Sequence, residues 1–101
     1  MQQYVFPAIL YKDTETQGYT IAFHDIQVFA EGDTVEDAFW HAKEFLEVYC
    51  RCALEYNGEM TIATKYEDVE TDTKNIVLLV DAEIEETNKK GAKEGKFNLG
   101  L

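Results

Sequence analysis

Basic residues are scarce in this 101-residue chain: nine lysines and arginines stand against 20 aspartates and glutamates, a formal net charge of −11. Residues 1–87 carry five basic and 19 acidic side chains, a net of −14, while residues 88–101 hold Lys89, Lys90, Lys93 and Lys96 against Glu94, a net of +3. Affinity for nucleic acid comes mostly from basic contacts to phosphates, so direct nucleic-acid binding by the acidic body is excluded as an expectation. A basic partner suits such a surface, and solubility alone suits it equally. Long apolar runs are also missing. None approaches the roughly 20 residues that span a bilayer, which excludes a membrane helix. Met1-Gln2-Gln3 has no basic n-region, so no secretory signal is expected. Cysteine is limited to Cys50 and Cys52. At i and i+2 of one helix they point to different sides, which is poor geometry for a disulfide, and a reducing, cytoplasmic setting is the default. Internal repeats and linkers are absent. One domain is expected, and about two-thirds of the unfolded surface can be buried at this length.

The longest regular pattern starts at Gly32-Asp33-Thr34. Thr34 is a good N-cap, Asp37 is an acidic capping-box partner, and Glu36 and Asp37 place negative charge at the positive end of a helix dipole. Val35, Ala38, Phe39, Ala42, Phe45, Leu46, Tyr49, Cys52, Ala53 and Tyr56 then recur at helical spacing. Asn57-Gly58 supplies a left-handed stop. The pattern predicts one amphipathic helix of about six turns, whose apolar stripe needs a sheet to lie on.

Strands are expected on both sides of it. Tyr4–Tyr11 is almost continuously apolar, as if buried on both faces. The sole proline, Pro7, sits inside it, although proline favours edges, strand starts and bulges. Lys12–Gly18 reads as a hairpin loop. Tyr19–His24 alternates, with Tyr19, Ile21 and Phe23 on one face. Val28–Glu31 is a short third strand. The polar connection Glu59–Asn75 reads as loop. Ile76–Ile84 puts Ile76, Leu78, Val80, Ala82 and Ile84 on one face, and its first five residues look buried on both sides. The order is β-β-β-α-β, an α+β domain with a small mixed sheet and one long helix on one face. A parallel pairing of the last strand with the first would require a right-handed crossover. Residues 1–87 form the domain, and residues 88–101 are expected to be a flexible basic tail.

Four segments, in this order and spacing, resemble the HicB antitoxin family: Phe6-Pro7-Ala8-Ile9; Gly18-Tyr19-Thr20-Ile21-Ala22-Phe23-His24-Asp25; Gly32-Asp33-Thr34-Val35-Glu36-Asp37-Ala38; and Ile76-Val77-Leu78-Leu79-Val80-Asp81. The resemblance covers roughly residues 4–84, the N-terminal domain of that family. It implies a partial RNase H-like fold and the antitoxin half of a toxin–antitoxin pair, in which the antitoxin binds HicA, a small basic RNase acting on mRNA. The sequence departs from the family where His24 replaces a usual proline, at Ile26-Gln27-Val28-Phe29, and over the proline-free Ile62–Val69. The segment after residue 87 is shorter than the C-terminal DNA-binding domain that many members carry, so a form without that domain is expected.

RNase H-type catalysis needs several carboxylates converging on divalent ions, and Val5–Leu10 contains none. A degenerate hydrolase would have to use His24 and Asp25. Those two with His41 make the single His-centred constellation, short of the three or four protein ligands of a metal site. Cys50-x-Cys52 has no second cysteine pair, and Cys52 on the apolar stripe reads as a small hydrophobe. Tyr4, Phe6, Tyr19, Phe23, Phe29, Phe39 and Phe45 are most simply core. Trp40 lies off the stripe, near Glu44 and Glu47, as an interface anchor or a cover for a sheet edge. The expectation is a non-enzymatic HicB-like antitoxin that binds a small basic toxin. The alternatives are an orphan interaction or small-ligand-binding module, and the degenerate hydrolase. Candidate partner-binding residues are Trp40, Glu44, Glu47, Asp25, Glu31 and Asp33; no catalytic residue, metal ligand or cofactor is assigned. Self-association is expected, because an open four-stranded sheet leaves edges to cover.

Overall fold

The computed structural model describes residues 2–72 and 75–85, so the expected tail at 88–101 lies outside the described residues. Strands β1 (Gln2–Lys12), β2 (Tyr19–Phe23) and β3 (Phe29–Gly32) precede helix α1 (Val35–Cys52), and β4 (Ile76–Ile84) closes the domain. The order in the sheet is β3-β2-β1-β4. The α+β class and the β-β-β-α-β order hold. The sheet is not mixed, however: all three pairings are antiparallel. The reason lies in where β4 begins, after the connection that follows Gly58. β4 starts at the end of the sheet where α1 began, at Ile76 opposite Leu10, and runs back to Ile84 opposite Gln2.

Pro7 is reconciled with an inner strand by where β2 stops. Each residue of an antiparallel strand points its N–H and C=O to one side. Pro7 points to the β2 side, where its carbonyl accepts from His24 N at 3.1 Å, one residue beyond the end of β2. The missing proline N–H therefore falls where the ladder has already ended, and no β1–β4 bond is lost.

Thr34 caps α1 as expected, its hydroxyl accepting from Asp37 N at 3.1 Å. The last turn, Ala53–Asn57, widens to a π-helix, and Gly58 N donates to Ala53 O at 3.1 Å. Gly58 ends it with φ 77°, a conformation glycine adopts without cost. Gly32 has a different duty. A Cβ there would lie 2.4 Å from Ala38 N, so the end of β3 can approach the first turn of α1 only as glycine.

The helix buries Ala38, Ala42, Leu46 and Cys50, followed by Ala53 in the π turn. Three of these five are alanines, which let the helix lie close to the sheet. They meet Phe6, Ala8, Ile21, Phe23, Ala30, Val80, Ala82 and Ile84 in one core. Phe6 meets Tyr49 edge-to-face at 6.4 Å. The stripe is narrower than its periodicity suggested. Cys50, not Cys52, is the core cysteine, and Phe45 and Tyr56 are exposed. Burial pushes the Cys50 thiol up to about 11, with Arg51 lowering and Glu47 raising it more weakly. Phe29 is not core either: it is 61% exposed, on the sheet face away from α1. Leu79 on β4 is 52% exposed on that same face, so β4 is not buried on both sides.

Candidate functional site

The six candidate partner-binding residues fall into three places. Glu31 and Asp33 come together at one end of the sheet, where β3 runs into α1. With Asp13 from the β1–β2 hairpin and Asp37 from the first helical turn, they put four carboxylates on an open cleft of about 390 Å³. The Asp13 carboxylate accepts from Glu15 N at 2.8 Å and Thr16 N at 3.3 Å. Those bonds, the Glu15 amide first, hold its pKa below the ordinary carboxylate value. His41 borders the cleft, and its Nδ1 lies 2.8 Å from Glu31 O. A carbonyl can only accept, so Nδ1 carries the proton and Nε2 faces away. Among the described residues no three His, Cys, Asp or Glu side chains are arranged to hold a metal ion.

Trp40, Glu44 and Glu47 occupy the side of α1 away from the sheet. Trp40 is 59% exposed and braced edge-to-face against Phe39 at 5.7 Å. A supported, exposed indole flanked by carboxylates can insert into a pocket while its neighbours meet cations. Val48 is also exposed on this side of the helix.

Asp25 stands apart from both groups, in the β2–β3 turn at the other end of β2. Its two carboxylate oxygens accept from Thr64 N at 2.8 Å and from the Thr64 hydroxyl at 2.6 Å. Desolvation raises its pKa, but the two Thr64 bonds and nearby His24 outweigh it, and the net shift is downward. Asp25 thus latches the connection onto the sheet, and its oxygens are committed. His24 is exposed and His41 lies at the opposite end of β2, so the two histidines do not form one constellation.

Sequence reasoning missed three participants. Thr64 lay in a segment read as loop. Lys43 carried no sequence signal and His41 entered only a His-centred constellation with His24 and Asp25, yet each takes a backbone carbonyl on one edge of the sheet. Lys43 Nζ donates to Asp81 O at 2.8 Å and Asp81 Oδ1 at 3.1 Å on β4, and His41 does the same for Glu31 O on β3. Gln3 donates to the other Asp81 oxygen at 3.1 Å. The Gln3 bond first, then Lys43, lowers the pKa of Asp81. Their i, i+2 spacing sends them to opposite flanks of α1, a signal legible only once the helix is known to lie between two edges.

No helix among the described residues is long and apolar enough to cross a membrane. No protein-family model matches the sequence, and no curated protein matches it. Solved structures do. The N-terminal domain of the Burkholderia pseudomallei antitoxin HicB aligns at 20% identity with TM-score 0.68, over 80% of this chain and 100% of that one. A chain of a toxin–antitoxin complex from Streptococcus pneumoniae aligns at 16% identity with TM-score 0.72, over 93% of this chain and 80% of that one. A longer structure of the B. pseudomallei antitoxin HicB aligns at 17% identity with TM-score 0.65, over 98% and 76%. The four-stranded sheet with a single long helix is therefore the fold of the HicB antitoxin N-terminal domain.

Proposed function

We propose that this chain is an antitoxin that neutralises a small basic, HicA-type, mRNA-cleaving toxin by binding it directly, performs no reaction of its own, and associates with further copies of itself. The observation that carries the reading is the fold likeness, over 93% of the chain, to a chain of a toxin–antitoxin complex. The charge supports it: a body with 19 acids and five bases over residues 1–87 attracts a basic protein and repels RNA. Trp40, Glu44 and Glu47 offer an anchor with carboxylates beside it, and Glu31 and Asp33 extend the acidic surface around the start of α1. Asp25, engaged by Thr64, is left out of the partner-facing set. The acidic cleft at the start of α1 lies away from His24, and so lends no support to an apolar ligand pocket or a His24–Asp25 hydrolase.

The test is co-purification of the tagged chain from its native source. The expected companion is a small basic protein that cleaves RNA when separated and is silenced when this chain is added back. Recovery of this chain without any small basic companion overturns the reading.

A further inference from the structure

The two edges of the sheet are not equivalent. β3 is four residues long, and His41 already occupies the Glu31 carbonyl. β4 is nine residues long. Its outward groups can be identified from the register. Even-numbered residues of β4 face β1, since they pair with the even residues of β1 that point away from β2. Odd-numbered residues face outward, as the Lys43 bond to Asp81 O confirms. Val77 and Leu79 therefore present two N–H and two C=O groups to the exterior, and no hydrogen bond to either outward set is found among the described residues. Asn75, the next odd residue upstream, already gives its N–H to Asp72 O.

This edge is also the uncharged part of an acidic surface. Ile76-Val77-Leu78-Leu79-Val80 carries no ionisable group, and Ile76 and Leu79 are 56% and 52% exposed. The adjoining acid, Asp81, is paired with Lys43. A basic partner would find no carboxylate here to meet. A second copy of this chain would find the same neutral row of donors, acceptors and apolar side chains.

We propose that two copies join antiparallel along β4, through Val77 and Leu79, about a two-fold axis at Leu78. In this register each Val77 exchanges both backbone bonds with the partner copy's Leu79, giving four bonds in all. Val77 and Leu79 side chains then meet across the seam on the face away from α1, and Ile76 covers Val80 of the other copy on the helix side. The competing register, two-fold at Leu79, would pair Val77 with Asp81 and need the carbonyl that Lys43 holds. The Leu78 register leaves that clamp intact and sets Asp81 opposite Asn75. Exposed edges commonly pair in this way unless charged or covered, and here the charge begins only beyond Val80. The inference rests on the self-association proposed above and adds its surface and register.

The test is the mass of the full chain in solution over a concentration series, by sedimentation or light scattering. Wild type is expected at twice the 11.6 kDa chain mass. Leu79→Lys puts two like charges at the seam and removes an apolar contact, so its dissociation constant should rise by more than about tenfold. Phe29→Lys, on the other edge, should leave the mass unchanged. In a Cys52→Ser background, Leu78→Cys should form an intermolecular disulfide under mild oxidation. The residue on the axis is a non-hydrogen-bonded pair with Cα atoms about 4.5 Å apart, within reach of a disulfide. Leu79→Cys should cross-link far less. A wild-type chain that stays monomeric to about millimolar concentration, where even weak self-association would register, overturns self-association itself. A wild-type dimer that survives Leu79→Lys, dissociates with Phe29→Lys, or cross-links through residue 79 rather than 78 overturns the β4 assignment alone.

Discussion

The two faces of the sheet differ sharply although they share the same strands. On the face under α1, Phe6, Ala8, Ile21, Val80 and Ala82 are fully buried. On the opposite face Pro7 and Ile9 are buried at the middle of β1, while Val5, Tyr11, Phe29 and Leu79 remain exposed. Alternation along a strand assigns the residues to faces, but the sequence of one strand does not say how many faces are covered. One helix covers one face. The covered face holds the core cluster, and the other face and the β4 edge carry exposed apolar side chains. Substitutions on the two sides should therefore have unequal consequences.

The largest effect is expected beneath the helix. Leu46→Ala should cost about 2–5 kcal/mol, because Leu46 is fully buried between α1 and the sheet and little around it can collapse into the space. Chemical denaturation measures it as a lower midpoint at unchanged slope. Next comes the latch at the end of β2. Asp25→Ala should cost about 1–2 kcal/mol at neutral pH by leaving Thr64 N–H without its acceptor. The pH dependence has a definite sign. Asp25 and Asp81 have folded pKa values below the ordinary 3.8, so their contribution is complete above that value and is lost as pH falls through the depressed folded values. Wild-type stability should decline below about pH 4, and the gap between wild type and Asp25→Ala should narrow there. Thr34→Ala should cost about 1 kcal/mol by removing the cap on Asp37 N. The smallest effect is expected on the exposed face. Phe29→Thr should change stability by less than about 0.5 kcal/mol, and a larger loss would mean that this face is covered.

Much of the fold was legible because its signals are local. Thr34, Asp37 and Gly58 mark the ends of the helix by capping and left-handed backbone, and they lie where the periodicity put them. The limits of β4 are those of its alternating pattern. What was not legible depends on distant partners. The direction of β4 depends on where the chain re-enters the sheet, and the sequence between α1 and β4 has little pattern of its own. Cys50 and Cys52 exchange their expected places because the alanines 38, 42 and 53 draw the helix down along a line centred between Ala42 and Leu46, leaving Cys52 on the flank. The acid cluster joins Asp13 of the β1–β2 hairpin to Glu31, Asp33 and Asp37 at the β3–α1 junction, and of these only Glu31 and Asp33 are candidate residues from the sequence. The edge carbonyls taken by His41 and Lys43 belong to the same class. Their donors look like solvent residues until the sheet beneath the helix has known edges.

The central claim is neutralisation by direct binding, and titration of RNA cleavage tests it most directly. Increasing amounts of this chain are added to the small basic companion obtained from the native source, and cleavage of labelled RNA is followed. Inhibition should saturate at a fixed stoichiometry, weaken as salt is raised, and require several-fold more of a Trp40→Ala/Glu44→Lys variant whose thermal unfolding is unchanged. Cleavage that continues unabated with this chain in excess would contradict the account.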